Sequence, residues 1–334
     1  MKVTIKDVAK AAGVSPSTVS RALRNHERIS EKIRLHVQQV AREMDFHPNQ
    51  MARSLVRRET PIIGIVFPDD AAMNLGNPFY PAVLQGLGHA ASTERYQLLL
   101  ITGSPENSAA EASRAAVDSG YVSGLILLAA EDAPPPEMDV PVVIIGHPTD
   151  ADRRCCVDND NRKAGYEAAK HLLANGHRRI GLLGYDSRFM FTVDRRAGCC
   201  DALEEAGLSL DERWQFPASA SRTEGDRQAL AAAFQSADRP TAVVCMDDLM
   251  AIELTRILRQ MHLRVPDDVS LISFNNTELS RYHHPALTTF DVQPYQLGVN
   301  AMRLMLDVLK GRAEAPVAID VPFTLITRDS VANL

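Results

Sequence analysis

The chain has 334 residues, 45% hydrophobic and 23% charged, which is the length and composition of a globular protein with more than one domain. No apolar run approaches the roughly 18–20 residues that span a bilayer, and the first residues lead directly into a helical pattern. We therefore expect a cytoplasmic protein with no membrane partner.

The net charge of −6 is unevenly divided along the chain. Residues 1–58 contain twelve Lys and Arg against five Asp and Glu, a net of +7, which leaves −13 for the rest. A basic head on an acidic body is typical of a nucleic-acid-binding module joined to a domain that does not bind DNA.

The head predicts three short helices. Thr4 and Asp7 form a capping arrangement for the first, and Gly13 can supply the left-handed conformation that ends it. Ser15 and Pro16 predict the N-cap and first residue of a second helix that runs to about Leu23. A third helix is predicted to begin at the cap Ser30. The residues expected to form the core of the head are Ile5, Val8, Ala9, Ala12, Val19, Ala22, Leu23, Ile33, Val37, Val40 and Ala41.

Two short helices joined by a glycine turn and braced by a third form the helix-turn-helix plan. Small hydroxyl residues at the start of the second helix bring the backbone close to phosphates, and Arg21 can bond a phosphate or a guanine edge. A solvated three-helix piece of another fold is the alternative, and the charge division disfavours it.

The stretch from Val3 to Leu23, VTIKDVAKAAGVSPSTVSRAL, resembles the LacI/GalR family of bacterial repressors, and the resemblance continues through PNQMARSL at 48–55. In that family the second stretch is a hinge helix that folds only on DNA, and a leucine, here Leu55, opens the minor groove. The residues expected to contact DNA are Thr4, Ser15, Pro16, Ser17, Thr18, Ser20, Arg21, Asn25, Asn49, Ala52 and Leu55.

After Pro61 the chain alternates short apolar runs with amphipathic stretches, which predicts an α/β body with two parallel sheets. The predicted strands are 62–67, 98–102, 125–128, 142–145, 180–183, 242–245 and 269–274. The predicted helices include 80–95, 163–175, 195–206 and 249–261.

Ligands of open parallel sheets bind outside the carboxyl ends of the strands, so polar residues just after strands are the candidate site. Asn77 to Tyr80, the string VDNDN at 157–161, Arg195, Asp247 and Asn275 occupy such positions. Carboxylates, amides, an arginine and aromatic rings suit a polyhydroxylated sugar. Asp158 and Asp247 could instead cap the following helices, and Asn275 could be a turn residue.

The body resembles the sensor half of the same family, which has two lobes of the periplasmic sugar-binding fold joined by three crossovers. The resemblance implies effector contacts from Phe79 and Tyr80 in the first lobe, and from Asp158, Arg195, Asp247 and Asn275 in the second. Relatives typically have Asp at position 275 and Asn at position 247, so the charged group is exchanged here. The motifs are similar to the maltose-type repressors within the family.

The sequence thus predicts a small all-α helix-turn-helix head (1–47), a hinge and linker (48–60) and a two-lobed α/β periplasmic-binding-protein-like body (61–334). The first lobe is placed at about 61–158 and 292–318, and the second at about 159–291 and 319–334. We expect a homodimeric, sugar-released repressor that binds operator DNA and associates with the nucleoid when bound. A regulator that needs a corepressor or a protein partner is the alternative. No catalytic residue, metal or cofactor is predicted, because no phosphate loop, complete dinucleotide loop, triad or zinc spacing is present.

Overall fold

A computed structural model describes the chain over residues 3–23, 29–44, 46, 61–68, 76–104, 106–129, 137–147, 154–217 and 224–334. The chain divides into two compact units, Met1–Thr60 and Pro61–Leu334. The predicted hinge and linker at 48–60, and with it Asn49, Ala52 and Leu55, lie outside the described residues, as does Asn25.

The head contains three helices, α1 (Ile5–Ala11), α2 (Pro16–Ala22) and α3 (Glu31–Glu43). α1 begins where the sequence predicts, because the backbone N–H and the hydroxyl of Thr4 both donate to the Asp7 carboxylate, at 2.9 and 2.6 Å. Gly13 has a φ of +64°, which a glycine adopts without strain, and the chain turns there towards α2. Both predicted helix boundaries are confirmed.

The core of the head is small. Val8, Val19, Ala22 and Val37 are fully buried within it. Ile33 was predicted to join them, and this is wrong, since its side chain is 40% exposed. Val37 and Ala41, one and two turns further along α3, fill the space that faces α1 and α2.

The body contains two sheets of six strands each in its described residues. The strands of the first sheet are β1 (Ile62–Val66), β2 (Gln97–Ile101), β3 (Gly124–Leu127), β4 (Val142–Ile145), β5 (Cys155–Asp158) and β11 (Ala318–Asp320). Those of the second are β6 (Ile180–Tyr185), β7 (Gln215–Pro217), β8 (Ala242–Cys245), β9 (Ser270–Phe274), β10 (Thr288–Asp291) and β12 (Thr324–Ile326). The orders are β11-β5-β4-β3-β1-β2 and β12-β10-β9-β8-β6-β7. All neighbours pair in parallel except β10 and β12.

Helices cover these sheets and form a separate core with each. The helices are α4 (Phe79–Thr93), α5 (Ala109–Asp118), α6 (Asn161–Ala174), α7 (Met190–Glu205), α8 (Glu224–Gln235), α9 (Asp248–Gln260), α10 (Glu278–Tyr282) and α11 (Pro294–Leu309). α4 and α11 pack on the first sheet, and α6 and α7 pack on the second. The body is therefore two α/β lobes. No helix in the described ranges is long and apolar enough to cross a membrane.

The chain passes between the lobes three times. It leaves the first lobe after β5, returns between β10 and α11, and leaves again between β11 and β12. β11 pairs in parallel with β5 and so belongs to the first sheet, which puts the last passage after Asp320 rather than near residue 318. We call the segments 159–160, 292–293 and 321–323 the first, second and third crossovers.

The sequence pattern missed five strands. β5 and β10 have four residues each and are largely buried, but each ends in an aspartate and neither has a long apolar run. β7, β11 and β12 have three residues each, and their side chains are largely exposed or half-buried, so no apolar run marks them. α7 also begins at Met190, five residues before the predicted start. Trp214 is buried in the second lobe, in the same core cluster as Phe216 and Leu230.

Candidate DNA-binding surface and effector site

The N-terminal turn of α2 presents the predicted DNA contacts. The Ser15 hydroxyl accepts a hydrogen bond from the Thr18 backbone N–H at 3.1 Å and lies 2.7 Å from the Ser17 hydroxyl. Ser15, Pro16, Ser17 and Arg21 are exposed, and Thr18 and Ser20 are half-buried. Thr4 is exposed at the start of α1, where it caps that helix. The turn therefore offers hydroxyl groups and one guanidinium to solvent, as a phosphate-contacting surface requires.

Arg195 is the centre of the candidate effector site. Its side chain is only 5% exposed, with Nε donating to Asn161 Oδ1 at 2.9 Å and Nη1 donating to the Met246 carbonyl at 2.8 Å. The guanidinium lies over the Phe274 ring, 4.0 Å from its centroid. Three elements of the second lobe thus fix its orientation.

Close helix packing sets the depth of Arg195. A Cβ on Gly165 of α6 would clash with the backbone of Arg195 in α7, and one on Gly198 would clash with the backbone of Arg162. Only glycine allows the two helices to approach this closely. The arginine reaches the carboxyl ends of the strands because its helix lies so near α6.

Two carboxylates act on this arginine. Asp158 ends β5 and accepts hydrogen bonds from Asn161 Nδ2 at 3.0 Å to each oxygen. Burial among protein atoms raises the pKa of Asp158 to about 6, against the opposing effects of the Asn159 N–H and the Arg195 charge. Burial also lowers the pKa of Arg195 to about 10, although Asp158 and Asp247 oppose that shift. Desolvation thus outweighs attraction for both partners, a combination found often at functional sites.

Asp247 connects the two lobes. Its Oδ1 accepts from the Met250 N–H at 2.8 Å and caps α9, while its Oδ2 accepts from Asn77 Nδ2 at 3.0 Å. Asn77 lies in the first lobe just before α4, and its Oδ1 accepts from the Phe79 N–H at 3.1 Å. Burial, together with the Asp247 charge, raises the pKa of the nearby Tyr80 to about 12. The sequence placed Asn77 among the candidate positions as part of the string NPFY, but its contact with Asp247 was not predicted.

The neighbouring Asp248 has a different role. It is fully buried and accepts hydrogen bonds from Ser273 Oγ at 2.6 Å, the Thr277 N–H at 2.7 Å and Thr289 Oγ1 at 2.7 Å. It joins α9 to β9 and β10, whereas Asp247 faces the other lobe. The two carboxylates therefore do not form a metal pair, and no group of three potential metal ligands occurs among the described residues.

A cavity of about 440 Å³ lies between the lobes. Phe79 and Asn275 line it, and Asn275 has a φ of +105° with its N–H donating to the Phe290 carbonyl at 2.8 Å. The Phe79 ring also contacts Tyr80, with centroids 5.3 Å apart. The other polar and aromatic lining residues include Asn276, Glu278, Asp291, Gln293 and Tyr295. The described lining contains amides, carboxylates and rings, and neither lysine nor arginine.

The six predicted effector residues thus fall into two groups. Phe79 and Asn275 line the cavity, while Tyr80, Asp158, Arg195 and Asp247 are linked by electrostatic interactions. Asn161, which the sequence interpretation did not assign, bonds both Asp158 and Arg195. A helix-turn-helix unit and a two-lobed α/β body with a polar site between its lobes define a ligand-responsive, DNA-binding transcriptional regulator.

Comparisons with known proteins identify the family. Residues 4–49 match the family described as bacterial regulatory proteins, lacI family, and residues 169–331 match a periplasmic binding protein-like domain. The HTH-type transcriptional regulator MalR of Streptococcus pneumoniae is 32% identical over 317 residues, which cover 92% of this chain and 93% of that protein. The chain belongs to the LacI family of transcriptional regulators and is not an enzyme.

Solved structures agree in fold. The complex of the transcriptional regulator CelR with cellobiose has 26% identity and a TM-score of 0.74, covering 98% of this chain and 100% of that one. The lac repressor dimer bound to operator and the anti-inducer ONPF has 23% identity and a TM-score of 0.82, covering 99% of this chain and 100% of that one. The predicted helix-turn-helix head with a two-lobed periplasmic-binding-protein-like body is confirmed.

Proposed function

We propose that this LacI-family regulator is a repressor released from its operator by a neutral sugar, maltose or a related oligosaccharide. The observation that carries the proposal is the chemistry between the lobes. Amide and carboxylate groups line the cavity together with the Phe79 and Tyr295 rings, and no basic residue is among the described lining. Such a lining suits hydroxyl groups and the C–H faces of sugar rings. Arg195, which lies outside this lining, has Asp158 and Asp247 close by, and these carboxylates offset its charge, which disfavours a phosphorylated ligand.

The arginine and its two carboxylates supply the rest of the ligand chemistry. Carboxylates accept hydrogen bonds from pairs of hydroxyl groups, and the Arg195 guanidinium donates to ring or hydroxyl oxygens. A cavity of about 440 Å³ is within the range of sites for small molecules. The relative named MalR and the solved complex of CelR with cellobiose support an oligosaccharide.

The exposed turn of α2 is proposed to read the operator, with the 48–55 segment as a hinge helix in the minor groove. A sugar that binds the DNA-free arrangement of the lobes more tightly shifts the population away from the operator complex. A coupling of about 1–3 kcal/mol, typical of allosteric proteins, corresponds to a roughly 5–150-fold change in operator affinity. Repression is relieved when the sugar is abundant, and the protein acts in the cytoplasm.

The regulator is proposed to act as a homodimer. Leu99 and Leu100, on the edge strand β2 of the first sheet, are 37% and 48% exposed, and Leu279 and Tyr282 of α10 in the second lobe are 44% and 75% exposed. An exposed apolar edge strand is an aggregation hazard unless another chain covers it. A second copy fits, because two half-sites of an operator require two heads related by two-fold symmetry.

The effector is tested with an operator duplex obtained by selection from random DNA. Fluorescence anisotropy would measure operator affinity with maltose, maltotriose, cellobiose, glucose and glucose 6-phosphate, and thermal shift would measure binding directly. Maltose or maltotriose is expected to weaken operator binding at least fivefold and to raise the melting temperature, whereas glucose 6-phosphate changes neither. A phosphorylated sugar that binds when none of the neutral sugars does would contradict the proposal.

The dimer is tested by sedimentation velocity. Leu100→Glu is expected to give monomers at micromolar concentration, whereas Leu334→Glu, an equally drastic change at a residue 67% exposed elsewhere, is expected to leave the dimer intact. Monomeric wild type would reject the surface.

A further inference from the structure

The side chain of Asn159 connects all three crossovers. Asn159 lies in the first crossover, and its amide nitrogen donates to the Val292 carbonyl in the second at 3.1 Å and to the Val321 carbonyl in the third at 2.7 Å. The side chain is 6% exposed, and Val292 and Val321 are 1% and 2% exposed. One amide group therefore holds together the only three described segments that join the lobes.

We propose that Asn159 is the pivot of lobe rotation, and that Asn161 transmits the presence of ligand at Arg195 to this pivot. Asn159 is a positioning residue in this proposal, because it acts on the lobes through the crossovers. The part that concerns Arg195 rests on the effector site proposed above. The pivot itself depends only on the contacts between the crossovers.

Other hydrogen bonds make the three crossovers one unit. The Val321 N–H donates to the Asp158 carbonyl at 2.7 Å, which joins the third crossover to the end of β5, immediately before the first crossover. Gln293 Nε2 donates to the Pro322 carbonyl at 2.8 Å, which joins the second to the third. Gln293 has a left-handed φ of +52°, and its N–H donates to Asp291 Oδ1 at 2.8 Å. A rotation about any one crossover must therefore move the other two.

Burial makes the Asn159 contacts consequential. Each buried carbonyl needs a donor, and losing one leaves a polar group unsatisfied where water enters poorly. Asn159 is a donor to two such carbonyls at once, from two different passages of the chain. Removing the Asn159 amide therefore weakens the contacts of the first crossover with the second and with the third at the same time.

Asn161 joins this pivot to the effector site. Its Oδ1 accepts from Arg195 Nε at 2.9 Å, and its Nδ2 lies 3.0 Å from both Asp158 oxygens and 3.3 Å from the Asn159 carbonyl. Asp158 belongs to the first lobe, and Asn161 begins α6 of the second. A ligand that draws Arg195 or Asp158 into new hydrogen bonds must alter the bonds of Asn161, which lie across the first crossover.

The neighbouring Asp160 provides a matched control. It caps α6 by accepting from the Lys163 N–H at 2.8 Å, is itself exposed, and lies one residue from Asn159. Asp160→Ala therefore perturbs the same stretch of chain without touching the second or third crossover. Asn159→Leu is the main variant, since leucine has nearly the shape of asparagine and no donor, and Asn159→Ala is the second.

The pivot is tested by hydrogen exchange on the full-length, ligand-free protein. Asn159→Leu is expected to speed exchange at least tenfold in peptides covering 156–161, 292–296 and 319–323 together, with no change in the strands of either core. Asp160→Ala is expected to affect only the start of α6. If exchange becomes faster only in peptides covering 156–161 in both Asn159 variants, the pivot proposal is wrong, because the second and third crossovers would then be independent of Asn159.

The transmission is tested by the ratio of operator affinities without and with saturating maltose or maltotriose. Asn159→Leu is expected to lower this ratio at least fivefold while the sugar dissociation constant, from titration calorimetry, changes less than threefold. A purely structural role would lower sugar affinity and operator affinity in parallel, and that result would overturn the proposal. If wild type binds neither sugar, the proposed effector fails, and the exchange experiment still decides the pivot.

Discussion

Replacing Asp158 with asparagine tests the electrostatics of the effector site. The pKa of Asp158 is raised from 3.8 to about 6 in the folded protein, mainly by burial. Between about pH 4 and pH 6, the Asp158 carboxyl is therefore protonated in the folded state and ionised in the unfolded chain. The contribution of Asp158 to the free energy of unfolding is full below about pH 4 and is lost as the pH rises through 6. At about 1.4 kcal/mol for each pKa unit, the loss is at most about 3 kcal/mol, and solvent reaching the half-buried side chain reduces it.

Asp158→Asn removes this titration and keeps an acceptor for Asn161. Guanidinium titrations between pH 4 and 7.5 give the free energy of unfolding of the variant and of wild type. The value for the variant minus the value for wild type is expected to increase with pH and to level off above about pH 6.5. Asp201→Asn is the contrasting control, because its hydrogen bonds with Arg162 lower the pKa of Asp201 from 3.8, so that its contribution is lost only at lower pH and the difference is expected to stay nearly flat above about pH 5. A difference for Asp158→Asn that stays flat from pH 4 to 7.5 would show that burial does not dominate at this carboxylate.

Three other substitutions test the remaining parts of the proposed mechanism. Arg195→Ala is expected to keep operator binding and to lose the response to maltose, measured by anisotropy; a normal response would mean that the effector binds elsewhere. Leu55→Ala is expected to weaken operator binding at least tenfold with sugar affinity unchanged in calorimetry, and unchanged operator binding would remove the hinge from the mechanism. Gly165→Ala is expected to separate α6 from α7, to destabilise the protein by about 1–3 kcal/mol in guanidinium titrations and to weaken sugar binding by displacing Arg195. Full stability of that variant would show that the helices can move apart without cost.

Local signals in the sequence were sufficient for the helix boundaries of the head and for most of the central strands. The Thr4–Asp7 cap, Ser15–Pro16 and Gly13 act over three or four residues, so their structure follows from nearby residues alone. β4 and β8 are buried runs of apolar residues, and both occur at the predicted bounds. β11 could not be recognised because its alternating, half-exposed residues become a strand only by pairing with β5, about 160 residues earlier.

The candidate site was partly accessible to the same kind of reasoning. Asp158, Arg195 and Asp247 follow or face the ends of strands, which is where ligands of parallel α/β sheets bind. Asn77, Asn159 and Asn161 were visible as motif letters, but their partners lie 170, 162 and 34 residues away along the chain. No local pattern encodes such partners. Ile33 shows the reverse case, in which a helical pattern predicted burial that the small head could not provide.

The interleaving of the two lobes along the chain has a consequence for biosynthesis. The first lobe lacks α11 and β11 until residues 294–320 are made, and the second lacks β12 and the buried Ser330, whose hydroxyl accepts from the Thr288 N–H at 2.8 Å. Neither lobe can reach its native fold while the ribosome is still translating residue 290, although the head was released long before. During synthesis the nascent chain therefore carries a folded helix-turn-helix unit before either lobe of the ligand-binding body is complete.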